Sequence, residues 1–133
     1  KLIAETENVD KECLFIIEAA ALTHDIGIHF CEEKYGNCNG KLQEKEGPAI
    51  AEKMLKELGF DQDVSDRVQY LIAHHHTYNN IDEIDYQILV EADFLVNIME
   101  DGLSKEVALK AYESIFKTTC GKMICREMFD FCS

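Results

Sequence analysis

Tryptophan is absent from these 133 residues, proline occurs once and glycine seven times. So few helix breakers favour long helices, and no run of β-branched and aromatic residues alternates with period two, so strands leave no signal. No Cys-x-x-Cys pair occurs among the cysteines at 13, 31, 38, 120, 125 and 132, which removes the zinc-ribbon and thioredoxin patterns. Basic residues are also scarce, 13 against 26 acidic ones, for a formal charge of -13. A surface of that sign repels phosphate backbones and anionic lipid, so a nucleic-acid duplex and a membrane are not expected partners. No signal peptide or membrane-length apolar run is evident, which points to the cytoplasm and to mostly free thiols. Pairing or metal binding by Cys120, Cys125 and Cys132 remains an alternative.

What is present describes one helical unit. The length suffices to bury a core without disulfide staples, and 47% of the residues are hydrophobic. The expected fold is all-α, a single compact bundle of about six to seven helices over 1–133. Asp10 is the expected N-cap of a helix to about Asp25, with Ile17, Ala20 and Ala21 on its apolar face. A glycine- and asparagine-rich loop follows, from Gly27 to Gly40, and Pro48 suits an early position in the next helix, which Gly59 ends. Asp61 or Asp63 caps a helix running to the histidines at 74–76, and a polar break over 77–82 leads to a helix from about Glu83 to Gly102. Ser104 caps another through Phe116, and a short terminal helix uses Met123, Ile124, Met128 and Phe129. Lys1-Leu2-Ile3-Ala4 resembles the tail of a helix already under way, and the first residue is not Met, so an upstream segment is expected.

Ionisable residues fall where these helices should be apolar. His24 lies seven residues after Ile17, His75 four after Leu71, and Asp93 four after Leu89 between Ala92 and Phe94. Each has an ordinary explanation alone: a satisfied core or capping histidine, a fortuitous His74-His75-His76 run, an Asp93 paired with Arg67 or Arg126. Burying such groups without partners costs several kcal/mol, about the scale of a whole domain's margin. Together, on three separate helices, imidazoles and carboxylates describe a transition-metal site rather than a calcium site.

Three segments, in order, then resemble a known family. Ala21-Leu22-Thr23-His24-Asp25-Ile26-Gly27 resembles the signature of the HD superfamily of metal-dependent phosphohydrolases. Leu71-Ile72-Ala73-His74-His75-His76 is similar to the paired-histidine segment of its two-metal members. The run from Ile88 to Asn97 is similar to the helix bearing its last metal aspartate. The likeness spans roughly Asp10 to Asp101. It implies His24, Asp25 and Asp93 as ligands of a first ion, with Asp25 bridging to a second held by His75 and His76, His74 being the register alternative. Another family histidine falls where Glu46 stands, which makes Glu46 a ligand candidate. The family's first metal histidine has no counterpart, since none of the 23 residues before His24 is histidine. Ile28 stands where a lysine often follows the signature glycine. Thr77-Tyr78-Asn79-Asn80 replaces the Gly-Tyr-Pro element of the cyclic-di-GMP phosphodiesterases, and that branch is disfavoured.

The resemblance implies one or two divalent ions (iron, manganese, zinc, cobalt, nickel or magnesium) and hydrolysis of a small phosphorylated substrate by metal-activated water, with His24 and Asp25 at its centre. His29, Lys34, Lys41 and Lys45, in or after the loop, are the candidate phosphate contacts. The competing expectation is a catalytically silent HD domain serving as a sensor or partner-binding module, which the missing first histidine and Ile28 favour.

Overall fold

The computed structural model describes residues 1–102 and 104–129. Every regular element among them is helical. In chain order these are α1 (Leu2–Thr6), α2 (Lys11–Thr23), α3 (Ile28–Tyr35), α4 (Gly40–Glu57), α5 (Gln62–His74), α6 (Ile84–Asp101), α7 (Lys105–Ser114) and α8 (Thr119–Phe129). The all-α bundle expected from the sequence is present: seven helices of eight residues or more, and the five-residue α1.

Several ends fall where local chemistry puts them. The Asp10 side chain accepts from the Cys13 amide at 2.7 Å and the Ser104 hydroxyl from the Val107 amide at 3.3 Å, each relieving an orphan donor of a first turn. Gly102 ends α6 at φ 61°, in the left-handed region. The stretch after the His-Asp pair differs from expectation. Gly27 and Gly36 bracket a helix, α3, instead of lying inside a loop. Pro48 is not near the start of α4 but at its ninth position, because Asn39 caps the helix by accepting from the Leu42 amide at 2.9 Å. Proline removes one intrahelical hydrogen bond there. The turns ahead of it persist because Gln43, Glu44 and Gly47 are buried against the far end of α5. Tertiary packing has overridden the local punctuation.

Two apolar clusters fill the interior. Ala19, Ala20, Ala51, Leu55, Val68, Leu71, Ile72, Leu89 and Val90 form one, joining α2, α4, α5 and α6. Ile3, Ile17, Ile88, Leu95, Phe116 and Cys125 belong to the other, joining α1, α2, α6 and α8. α6 walls both, and residues 85–91 are buried without a break, the pattern of a helix apolar on every side. Its two acids in that run are fully partnered. Arg67 grips Asp85 through Nη2 at 2.6 Å and Nε at 2.8 Å, and the same guanidinium reaches Asp82. Glu91 accepts from Gln87 Nε2, the Lys117 and Thr118 amides and the Thr118 hydroxyl at 2.5–3.0 Å, joining α6 to the start of α8.

Close approach at one point explains a glycine pair. A Cβ on Gly27 would stand 3.2 Å from the backbone of Gly47, so the turn after the His-Asp pair lies directly on α4. By length and composition Lys11–Tyr35 could cross a membrane, contrary to the expectation from sequence. In this fold it is broken at 24–27, and Ile17, Ala19, Ala20 and Cys31 are buried within the bundle. Cys13, Cys31, Cys38, Cys120 and Cys125 are free thiols; Cys132 lies outside the described residues.

Replacing Glu91 by alanine strands several buried donors at once, and is expected to lower stability by about 3 kcal/mol. Urea unfolding checks this, and an unchanged midpoint would show that the carboxylate does not tie α6 to α8.

Candidate metal centre

α2 ends at Thr23, so His24 sits at its C-cap and Asp25 in the following turn. The His24 Nδ1–H is directed at the Ala21 carbonyl, 2.8 Å away, which leaves Nε2 facing α6. There Nε2 lies 3.0 Å from Asp93 Oδ1 and 3.2 Å from Asp25 Oδ2. One ligand atom from each of the three residues falls within a 4.8 Å cluster. Asn97, one turn beyond Asp93, donates to its other oxygen at 3.3 Å. The Asp93 side chain is only 8% exposed, whereas that of Asp25 is 52% exposed. The cluster therefore has a buried wall and an open side. It opens into a cavity of about 250 Å³ between α2 and α6, bounded also by Ala21, Leu89, Val96 and Glu100.

Two larger clefts exist; the larger is lined by Asp10, Glu12, Cys13, Glu83 and Asp85, but among the described residues neither groups three ligand atoms as closely. The 420 Å³ cleft holds Arg67 and Asp85, already committed to each other, and the 310 Å³ one is lined mainly by Phe15, Leu58, Phe60 and Val64.

The histidine triplet divides. His74 Nδ1 is turned to the Tyr70 carbonyl at 2.7 Å, and its ring stacks on Tyr70 away from the cluster. His75 is fully buried, edge-on to His24 with ring centroids 5.4 Å apart, and its Nδ1 lies 2.6 Å from the Ile72 carbonyl. His76 packs beside it, 4.1 Å between centroids. Their Nε2 atoms converge on one group, Oε1 of Gln43, at 3.3 and 3.1 Å. The approach of α4 that brings Gln43 there depends on Gly40, where a Cβ would fall 2.7 Å from the His76 ring.

The remaining sequence candidates lie apart from the cluster. Glu46 accepts from the Tyr35 hydroxyl at 2.6 Å and faces Lys34 at 3.5 Å. His29 is exposed on α3 beside Glu33, and Lys41 donates to Glu44 and Thr77, both at 3.1 Å. Lys45 stands over the Tyr35 ring, 5.8 Å from its centroid. Arg67 serves Asp82 and Asp85, and Asp93 pairs instead with His24 and Asn97. Gln43 and Glu44 were not anticipated, because a helix starting near Pro48 leaves them in a loop. Glu44 accepts from the His76 amide, the Thr77 hydroxyl and Lys41, and these bonds hold its pKa down against the upward push of burial.

The electrostatics separate the two imidazoles. Burial pushes the His24 pKa down, but the carboxylates of Asp25 and Asp93 outweigh it and raise it to about 10. Burial, with His76 and His24 nearby, pushes His75 down to about 4. His24 is thus a cation balancing two carboxylates, and His75 is neutral. One imidazole nitrogen and two carboxylate oxygens are a donor set suited to zinc, iron or manganese, so His24, Asp25 and Asp93 fit such an ion. The position between His75, His76 and Gln43 carries no anion of its own.

Comparison with family models, curated proteins and solved structures finds no match for this chain in any of the three.

Because His24 is raised, the stability it contributes to the metal-free protein is complete below its ordinary value of 6.5 and is lost as pH rises through about 10. An ion bound at Nε2 must displace that proton. Calorimetric titration with zinc near neutral pH, in buffers of different ionisation enthalpy, should report release of about one proton per ion bound. Binding with no proton release would contradict His24 as a ligand.

Proposed function

We propose that this chain is a metal-dependent phosphohydrolase acting in the cytoplasm on a small phosphorylated substrate. The observation that carries the reading is the convergence of His24, Asp25 and Asp93, from two helices that meet nowhere near each other in sequence, at the head of one cavity. A bound ion supplies acidification of a coordinated water and neutralisation of charge on phosphoryl oxygens.

The chain's own residues prepare the place. The Ala21 carbonyl fixes the tautomer and plane of His24, as a hydrogen-bonded outer partner does for a ligating imidazole. Asn97 steadies Asp93 in the buried wall, and Asp25 stands at the open side, where substrate and water arrive. Leu89, Ala92 and Val96 give the cavity an apolar flank that limits solvent around the polar head. Its volume suits a small ester rather than a polymer.

A second reading, a silent metal-binding module, is favoured by one observation. Among the described residues no lysine or arginine lines the cavity, and Glu100 does, so a phosphate entering it meets none of their cations apart from His24.

Assay of the protein with added manganese, iron or cobalt against phosphomonoesters, phosphodiesters and nucleotides separates the two. Turnover is expected, with Asp93→Ala losing both metal and activity by at least about a hundredfold, the scale of removing a ligand or its support. Metal retained without turnover on any of these classes selects the module. Full metal retention in Asp93→Ala overturns both.

A further inference from the structure

We infer that the substrate carries a cation of its own: it is the phosphomonoester of a short amino alcohol, with its phosphate at the His24, Asp25 and Asp93 end of the cavity and its ammonium beside Asn97 and Glu100. The inference rests on reading that cavity as a phosphohydrolase site. The helix sets the layout. Leu89, Asp93, Val96 and Glu100 follow one another at intervals of four, three and four residues, so they form one stripe along α6, flanked by Ala92 and Asn97. Asp93 and Glu100 are seven residues apart, about 10 Å along the helix axis. Helical side chains lean toward the N-terminus, so the long Glu100 side chain shortens that span. Between the two polar ends lie Ala21, Leu89, Ala92 and Val96, a flank that suits methylene groups and offers the hydroxyls of a sugar few partners.

Charge decides what the far end accepts. The ionisable side chains lining the cavity are His24, Asp25, Asp93 and Glu100. A dication at the head offsets Asp25 and Asp93, but Glu100 is exposed, and among the described residues no lysine, arginine or histidine pairs with it. Asn97 donates an N–H of its carboxamide to Asp93 at 3.3 Å, an orientation the carboxylate dictates because it only accepts, and its Oδ1 is left as an acceptor. Two acceptors, one of them anionic, therefore serve the tail of a ligand. A primary ammonium brings three N–H donors and a positive charge, and satisfies both. An alkyl tail leaves the carboxylate unanswered, and a nucleoside polyphosphate adds negative charge against it. The scarcity of protein cations that disfavours a simple phosphate thus fits a zwitterion.

The test is binding of two phosphonates, which ester hydrolysis cannot consume, so no turnover is needed. 3-Aminopropylphosphonate and butylphosphonate match in heavy atoms and differ in ending in an ammonium or a methyl group. Each is titrated calorimetrically into the zinc-loaded chain near neutral pH, in a buffer free of amines. The amino compound is expected to bind about fivefold more tightly, the upper range for an exposed ion pair. The apolar flank alone would favour the butyl chain instead. Glu100→Gln should abolish the ratio, and Glu100→Lys should invert it; both replace an exposed side chain, and circular dichroism checks that each variant folds. Equal affinities, or tighter binding of butylphosphonate, overturn the inference and leave the phosphohydrolase reading standing. A preference for the amino compound that survives in the folded variants overturns it too, by removing Glu100 as the cause. If the chain holds no zinc, or holds it and binds neither phosphonate, the phosphohydrolase reading itself fails and takes the inference with it.

Discussion

The His24 imidazole is strung between a backbone carbonyl and two carboxylates, and that single ring connects the end of α2 to the middle of α6. Neither partner tolerates the interior alone. A buried Asp93 needs a cation or donors, and an imidazolium beside it needs the carboxylate. In the metal-free chain the pairing is a charge-assisted hydrogen bond, with His24 held protonated far above its ordinary range. In the proposed metal-bound form that proton would leave and a dication would take its place, since Nε2 and the two oxygens already lie close together. Stability and proposed chemistry thus use the same three side chains in exchange for one another.

The rest of the bundle holds those side chains still. α6 is buried on all sides over residues 85–91, which places Asp93 relative to both apolar clusters rather than to one. Three of its acids are committed at different levels: Asp85 to Arg67, Glu91 to the start of α8, Asp93 to His24. The 75–83 connection is fixed from two directions, by Arg67 on Asp82 and Asp85, and by the Tyr86 hydroxyl against the carbonyls of His74 and Thr77. His75 and His76 leave α5 under that restraint, so their rings are directed to Gln43 by backbone position before any ligand arrives.

Much of this was visible in the sequence, and the reasons it was or was not are physical. Helical periodicity and caps such as Asp10 and Ser104 are local properties, and the long helices followed from them. His24 and Asp93 stood out because an ionisable group on an apolar stripe demands a partner, whatever the fold. Over 27–48 the sequence misleads, because its glycines, asparagines and proline punctuate locally, whereas burial of Gln43, Glu44 and Gly47 against α5 decides where α4 begins. The burial of Gln43, four residues before Gly47 on the face turned to α5, follows only from that packing, whereas Glu46 faces Tyr35. The lysines illustrate a further limit: sequence places them near the His-Asp pair, but only side-chain geometry assigns them to Glu44, Glu46 and Tyr35.

We propose that one cation belongs among His24, Asp25 and Asp93. Crystals of the chain grown with zinc, and diffraction data collected on both sides of the zinc absorption edge, test it directly. An anomalous peak is expected, bonded to His24 Nε2 and to the two aspartates at the metal–ligand distances of about 2.0–2.2 Å usual for zinc. A map with no peak there, and the His24–Asp93 hydrogen bond intact in saturating zinc, would contradict it.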